Sequence, residues 1–98
     1  MKTIRLAEHA DFLSTRFLGE IVRKEIIDYL GLHPVVTLDF QGVSGLSHSF
    51  ADECFGFLVA ENGIGLFKDR LRFANLNPEI QAILRFVLAD RLGAASAA

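Results

Sequence analysis

Polar and apolar residues alternate from Lys2 to Leu6, which predicts a short strand half buried through Ile4 and Leu6. Glu8 to Leu13 reads as a turn region. Ser14 is a candidate cap for a helix running to about Leu30, with Gly31 as its stop. Phe17, Leu18, Ile21, Val22, Ile26, Tyr29 and Leu30 recur at helical spacing and form its expected buried face. Arg16, Glu20, Arg23, Lys24 and Asp28 take the wet face, with Glu20 and Lys24 in the favourable i,i+4 order. His33-Pro34 breaks the chain. Val35 to Phe40 carries β-branched residues and no helical period, as expected of a central parallel strand. Gln41 to Ser47 is a loop.

A second helix is predicted over Ser49–Asn62, capped by Ser49, with Asp52 and Glu53 near its positive end. Asn62-Gly63 ends it. Ile64 to Asp69 is a connector in which one more short strand could hide, near Ile64 to Phe67. Arg70 to Leu76 alternates again, and Asn77-Pro78 starts a helix that keeps its spacing to about Leu92. The expected fold is α/β in the order β-α-β-α-β-α, a small, mainly parallel sheet packed with helices. Residues 1–92 form one domain and 93–98 a flexible tail of small residues.

Composition supports a packed core: 51% of the 98 residues are hydrophobic and 22% charged. A net charge of -2 without a basic patch argues against nucleic acid as a partner. No apolar run approaches the roughly 20 residues needed to span a bilayer, so no membrane partner is expected. A lone cysteine, Cys54, cannot form an internal disulfide, and the start lacks a signal-peptide core. A cytoplasmic location is the expectation.

In a parallel sheet the carboxyl ends of the strands and the starts of the following helices share one edge, where ligands and regulatory sites gather. That edge is expected to collect Glu8, His9 and Asp11, then Asp39, Ser44, Ser47, His48 and Ser49, then Asn75 and Asn77. The densest cluster is Gly42 to Ser49. A serine at a helix start tolerates a phosphate, because unpaired N–H groups and the helix dipole favour the anion. The plainer reading of Ser49 is a cap worth about 1 kcal/mol. The two readings are compatible.

Three segments carry a family likeness: Val36–Val43, Ser47–Glu53 and Leu71–Asn77. Together they resemble the bacterial STAS-like domains of unknown function, over roughly Thr15 to Arg91. The resemblance implies a relative of the anti-sigma-factor antagonists, in which a partner kinase of the histidine-kinase ATPase fold phosphorylates a serine at a helix start. On this likeness the strand aspartate is Asp39 and the Gly-Val pair is Gly42-Val43. The serine pair falls on His48 and Ser49, and the aspartate before it on Ser47. Phe50 replaces the small glycine that follows. The resemblance thus implies Ser49, with Ser47 as fallback, as candidate phosphorylation sites. It also implies a partner-binding surface of Asp39, Gly42, Val43, Ser44, His48, Phe50, Asp52 and Glu53.

Rival chemistries fit less well. Gly45-Leu46-Ser47-His48-Ser49 nearly matches the hydrolase elbow G-x-S-x-G, but its last glycine is Ser49 and the chain is short for that sheet. Gly63-Ile64-Gly65 follows a helix and lacks the third glycine of a dinucleotide loop. His9, His33 and His48 have no metal-ligand spacing. No cofactor, no metal and no catalysis are expected. The second helix has little polar face: either it is buried on both sides or an apolar strip meets a partner, and in a domain this small the partner surface is the favoured reading, with a second copy of the chain as one candidate and Phe86 in the same patch. The expected function is a regulatory protein-binding module acting with a histidine-kinase-fold ATPase. The alternative is a structural or dimeric interaction subunit without phosphorylation.

Overall fold

The computed structural model describes residues 1–96. Lys2–Arg5 forms β1, followed by a 3-10 turn at Leu6–Glu8; Phe12–Leu13 forms β2 and Arg16–Leu30 forms α1. Val36–Asp39 is β3 and Gly45–Leu46 is β4. One continuous helical stretch follows: α2 (His48–Ala51), a π-helical segment (Asp52–Gly56) and α3 (Phe57–Asn62). Ile64–Asp69 is α4, Leu71–Ala74 is β5 and Pro78–Ser96 is α5.

The main sheet has the order β1-β3-β5 with every pair parallel, so the expected α/β fold is present. Its register aligns Ile4 with Leu38 and Leu38 with Phe73, on the face that carries the helices. Thr3, Thr37 and Arg72 align on the other, wetter face. Strands added in one direction by right-handed crossovers keep their helices on one side, which accounts for a sheet covered on a single face. β2 and β4 pair in a separate two-stranded parallel sheet, inside segments expected to be a turn and a loop. At two residues each, they are too short to leave an alternation in the sequence.

The core is aromatic at its centre. Phe73 lies within 6.1 Å, centroid to centroid, of Phe40, Phe55 and Phe67, and Phe50 meets Phe55 edge-on at 6.2 Å. Such pairs contribute roughly 0.5–1.5 kcal/mol each beyond their area.

Several expectations change. Thr15, not Ser14, caps α1, accepting from the Leu18 amide at 3.0 Å. The buried face of α1 is Gly19, Val22 and Ile26, whereas Phe17 is 69% exposed and Ile21 43%. The reason is Gly19: it lets α1 sit against Phe50, Glu53 and Cys54, and so turns the helix away from the purely apolar stripe. Arg23, assigned to the wet face, is half-buried for the same reason. Residues 64–69 are helical, not a connector or strand. The apolar second helix is buried internally: Phe50, Ala51, Cys54, Phe55, Leu58 and Val59 are all in the core. With α1 on one side and α5 on another, it leaves no apolar strip for a partner.

At the other end of α1, a single side chain closes the turn. Arg70 donates to the carbonyls of Leu30 (2.6 Å), His33 (2.9 Å) and Pro34 (3.0 Å). The Asn77 cap of α5 holds, with its Oδ1 accepting from the Ile80 amide at 2.8 Å. α5 continues past Leu92 to Ser96; of the expected tail, residues 97 and 98 lie outside the described residues. Among the described residues no helix is long and apolar enough to cross a membrane.

Candidate functional site

β3 delivers Asp39 to the carboxyl edge of the sheet, and the chain turns at once. The Val43 amide donates to the Phe40 carbonyl at 2.9 Å, closing a tight turn whose third residue is Gly42 at φ +86°. A side chain is disfavoured at that φ, so the turn requires glycine. Asp39 Oδ1 accepts from Asn75 Nδ2 at 2.8 Å and from the Gln41 amide at 2.9 Å. The Asn75 amide, then the Gln41 N–H, hold the Asp39 carboxyl below its ordinary pKa by stabilising the anion. Asn75 reaches across from the end of β5 in a left-handed conformation, φ +60°, which asparagine tolerates better than most residues.

The next residues are fixed by neutral groups. Ser44 donates through its amide (2.7 Å) and its Oγ (3.0 Å) to the Asp11 carbonyl. The Ser44 carbonyl accepts from Asn77 Nδ2 at 3.1 Å. Ser47 caps the second helix in place of the expected Ser49: its Oγ accepts from the Phe50 amide at 3.0 Å and donates to the Ser14 carbonyl at 2.7 Å. The Ser47 amide donates to Leu13 at 2.8 Å. β4 pairing with β2 sets this start two residues earlier than the sequence pattern suggests.

Ser49 therefore sits in the first turn of α2, exposed, and its hydroxyl makes no hydrogen bond among the described residues. His48 is exposed beside it. The His48 ring meets Phe86 of α5 edge-on, with centroids 4.9 Å apart, and Phe86 is 59% exposed. Phe86 was expected on an apolar patch of the second helix; it instead extends the Ser49 surface. His48, Ser49, Gly42 and Ser44 thus lie at the surface, with Phe86 added to them. Val43 and Phe50, expected to contact a partner, lie in the core and support the surface from beneath.

Asp52 and Glu53 also face inward. Asp52 takes a two-pronged contact from Arg91 of α5, Nε to Oδ1 at 2.8 Å and Nη2 to Oδ2 at 2.7 Å. Glu53 pairs with Arg23 of α1 at 2.8 Å, and Arg23 also donates to the Glu53 carbonyl. Arg16 touches both acids more loosely, at 3.3 Å and 3.5 Å. The Arg91 guanidinium holds the Asp52 carboxyl below its usual value against the opposing effect of burial. Arg23 and Arg91 lie over the two sides of this network against the Phe57 ring, at 5.0 and 4.5 Å from its centroid. These partners are more than 29 residues apart in the chain, so no local pattern announces them.

The remaining polar residues lie elsewhere. His9 faces Glu25 at 3.3 Å in a shallow groove of about 310 Å³ that Lys2, Arg5 and Tyr29 also line. Burial pushes the Cys54 thiol well up, which keeps it protonated and unreactive. Among the described residues no three His, Cys, Asp or Glu side chains are grouped to hold a metal ion.

Compared with known families, residues 18–81 match the model of a STAS-like domain of unknown function (DUF4325). No curated protein and no solved structure matches the chain.

Proposed function

The chain belongs to this family of STAS-like domains, and from that premise we propose that it is a non-catalytic regulatory module. It binds a signalling protein, a histidine-kinase-fold ATPase, through the surface of Gly42, Ser44, His48, Ser49 and Phe86. The observation that carries the reading is the contrast between its two serines. Ser47 uses its hydroxyl as both donor and acceptor inside the fold, whereas Ser49 presents an unengaged hydroxyl one residue beyond His48. Transfer of the γ-phosphoryl of ATP to Ser49 Oγ releases ADP and the hydroxyl proton. It places about -1.5 to -2 charges on the docking surface without breaking any contact of the fold. A phosphate on Ser47 would cost both the cap and the link to Ser14.

Exposed aromatics beside polar groups are favoured anchors at interfaces, and Phe86 with His48 supplies one here. The alternative of a dimer built on the second helix loses its basis, because that helix is core. The test is affinity capture of the tagged chain from its native cell, with mass spectrometry of bait and partners. Recovery of such an ATPase, its loss with Phe86→Ala, and phosphate on Ser49 are expected. An unmodified bait recovered alone would refute the reading.

A further inference from the structure

We propose that Arg16 is the residue that reads a phosphate on Ser49, a proposal that rests on the Ser49 reading above. Residues three and four apart on a helix share one face. Asp52 and Glu53 therefore flank the line that runs down the helix from Ser49, one turn further on. Arg16 reaches that spot from α1, with Nη1 3.3 Å from Asp52 Oδ2 and 3.5 Å from Glu53 Oε1.

The ion-pair arithmetic there is uneven. Asp52 already has Arg91, and Glu53 already has Arg23, both at 2.8 Å or less. Arg16 is the third guanidinium on two carboxylates, the most distant of the three, and its side chain is 52% exposed. Arg23 and Arg91 are held further by the Phe57 ring; Arg16 is not. The other charged or titratable groups nearby are His48, next to Ser49 on its own helix, Glu20 on α1, which is paired with Lys24 at 2.9 Å, and Asp90 on α5, which acts on Arg91; all three are the same in the chains compared below.

A phosphate on Ser49 would face two carboxylates on its own helix, a repulsive arrangement. Arg16 relieves it by exchanging two long contacts for a forked pairing with phosphate oxygens, the geometry guanidinium favours. Asp52 and Glu53 keep their own arginines, so the exchange leaves the core network intact. The modified serine then lies against the first turn of α1 instead of projecting into solvent.

The test uses the full chain with phosphoserine incorporated at position 49 during synthesis, so it does not depend on any cellular kinase. Phosphorus NMR follows the second phosphate ionisation in the otherwise wild-type protein, in Arg16→Gln and in Arg16→Lys. The expected result is an ionisation about 0.3–0.7 pH unit lower in the wild type than in Arg16→Gln, the scale of an exposed ion pair. Arg16→Lys should fall between them. Equal ionisation in wild type and Arg16→Gln, with both chains folded by circular dichroism, would overturn the assignment. If Arg16→Gln does not fold, wild type against Arg16→Lys decides. Native protein found without phosphate on Ser49 would instead refute the functional reading and leave this local result standing.

Discussion

Replacing Gly19 with alanine sets two effects of known size against each other. Within a helix alanine is favoured over glycine by about 0.8–1.0 kcal/mol, so α1 taken alone should gain stability. In the folded chain a Cβ at Gly19 would lie 2.9 Å from the Phe50 carbonyl oxygen, 3.0 Å from Glu53 Cβ and 3.4 Å from the Cys54 nitrogen. Two of these atoms are backbone of the helical stretch beneath, which cannot swing aside as a flexible side chain would. Overpacking of this kind costs about 1–3 kcal/mol, so packing outweighs propensity and the variant loses roughly 1 kcal/mol net. Urea denaturation followed by circular dichroism should show the midpoint falling by about 0.5–1 M at an unchanged slope. Gly65, in α4, has nothing within 4 Å of its would-be Cβ. Gly65→Ala should therefore raise the unfolding free energy by a few tenths of a kcal/mol up to about 1, and the midpoint with it. If Gly19→Ala stabilises as Gly65→Ala does, the close seating of α1 is wrong, and with it the explanation for the outward-facing Phe17 and Ile21.

Ser47→Ala should cost about 1–2 kcal/mol by removing the cap and its bond to Ser14, while Ser49→Ala stays within about 0.5 kcal/mol; equal losses in thermal unfolding would return the cap to Ser49. Arg70→Ala should lose about 1.5–3 kcal/mol, because the carbonyls of Leu30, His33 and Pro34 share one charged donor; a midpoint unchanged in urea would show that solvent replaces it freely. For acid stability, Asp52 has its folded pKa lowered first by Arg91, below an unfolded value near 3.9. Its contribution is full above that unfolded value and is lost as pH falls through the folded one. Asp52→Asn should flatten that part of the stability profile, measured as urea midpoints from about pH 2 to 7; an identical acid slope in both chains would exclude the pair as its source.

Elements with a long hydrophobic period or a strong cap were legible in the sequence: α1, the three strands of the main sheet, and the Asn77-Pro78 start of α5. What escaped was set by contacts between distant residues. The β2–β4 pair has no periodicity of its own, yet it moves the helix start from Ser49 to Ser47. The second helix has little polar face because it is enclosed by α1, the sheet and α5, and enclosure and an exposed sticky strip give the same sequence pattern. The acids at 52 and 53 looked like dipole partners at a surface because their arginines lie on other helices. The Ser49 region was singled out by its position after β3 and by the family likeness. Phe86 was noticed only as off the main face of α5, since its contact with His48 crosses 38 residues of chain.

The amide side chains of Asn75 and Asn77, with the hydroxyls of Ser44 and Ser47, pin the loop that presents His48 and Ser49. Apart from Asp39, every group in that scaffold is neutral. Ionic strength, which weakens pairs between exposed charges, has little hold on it. The chain therefore separates two quantities that are usually entangled: a salt dependence measured for partner binding would report charges meeting across the interface, and not a loop whose shape had changed with the buffer.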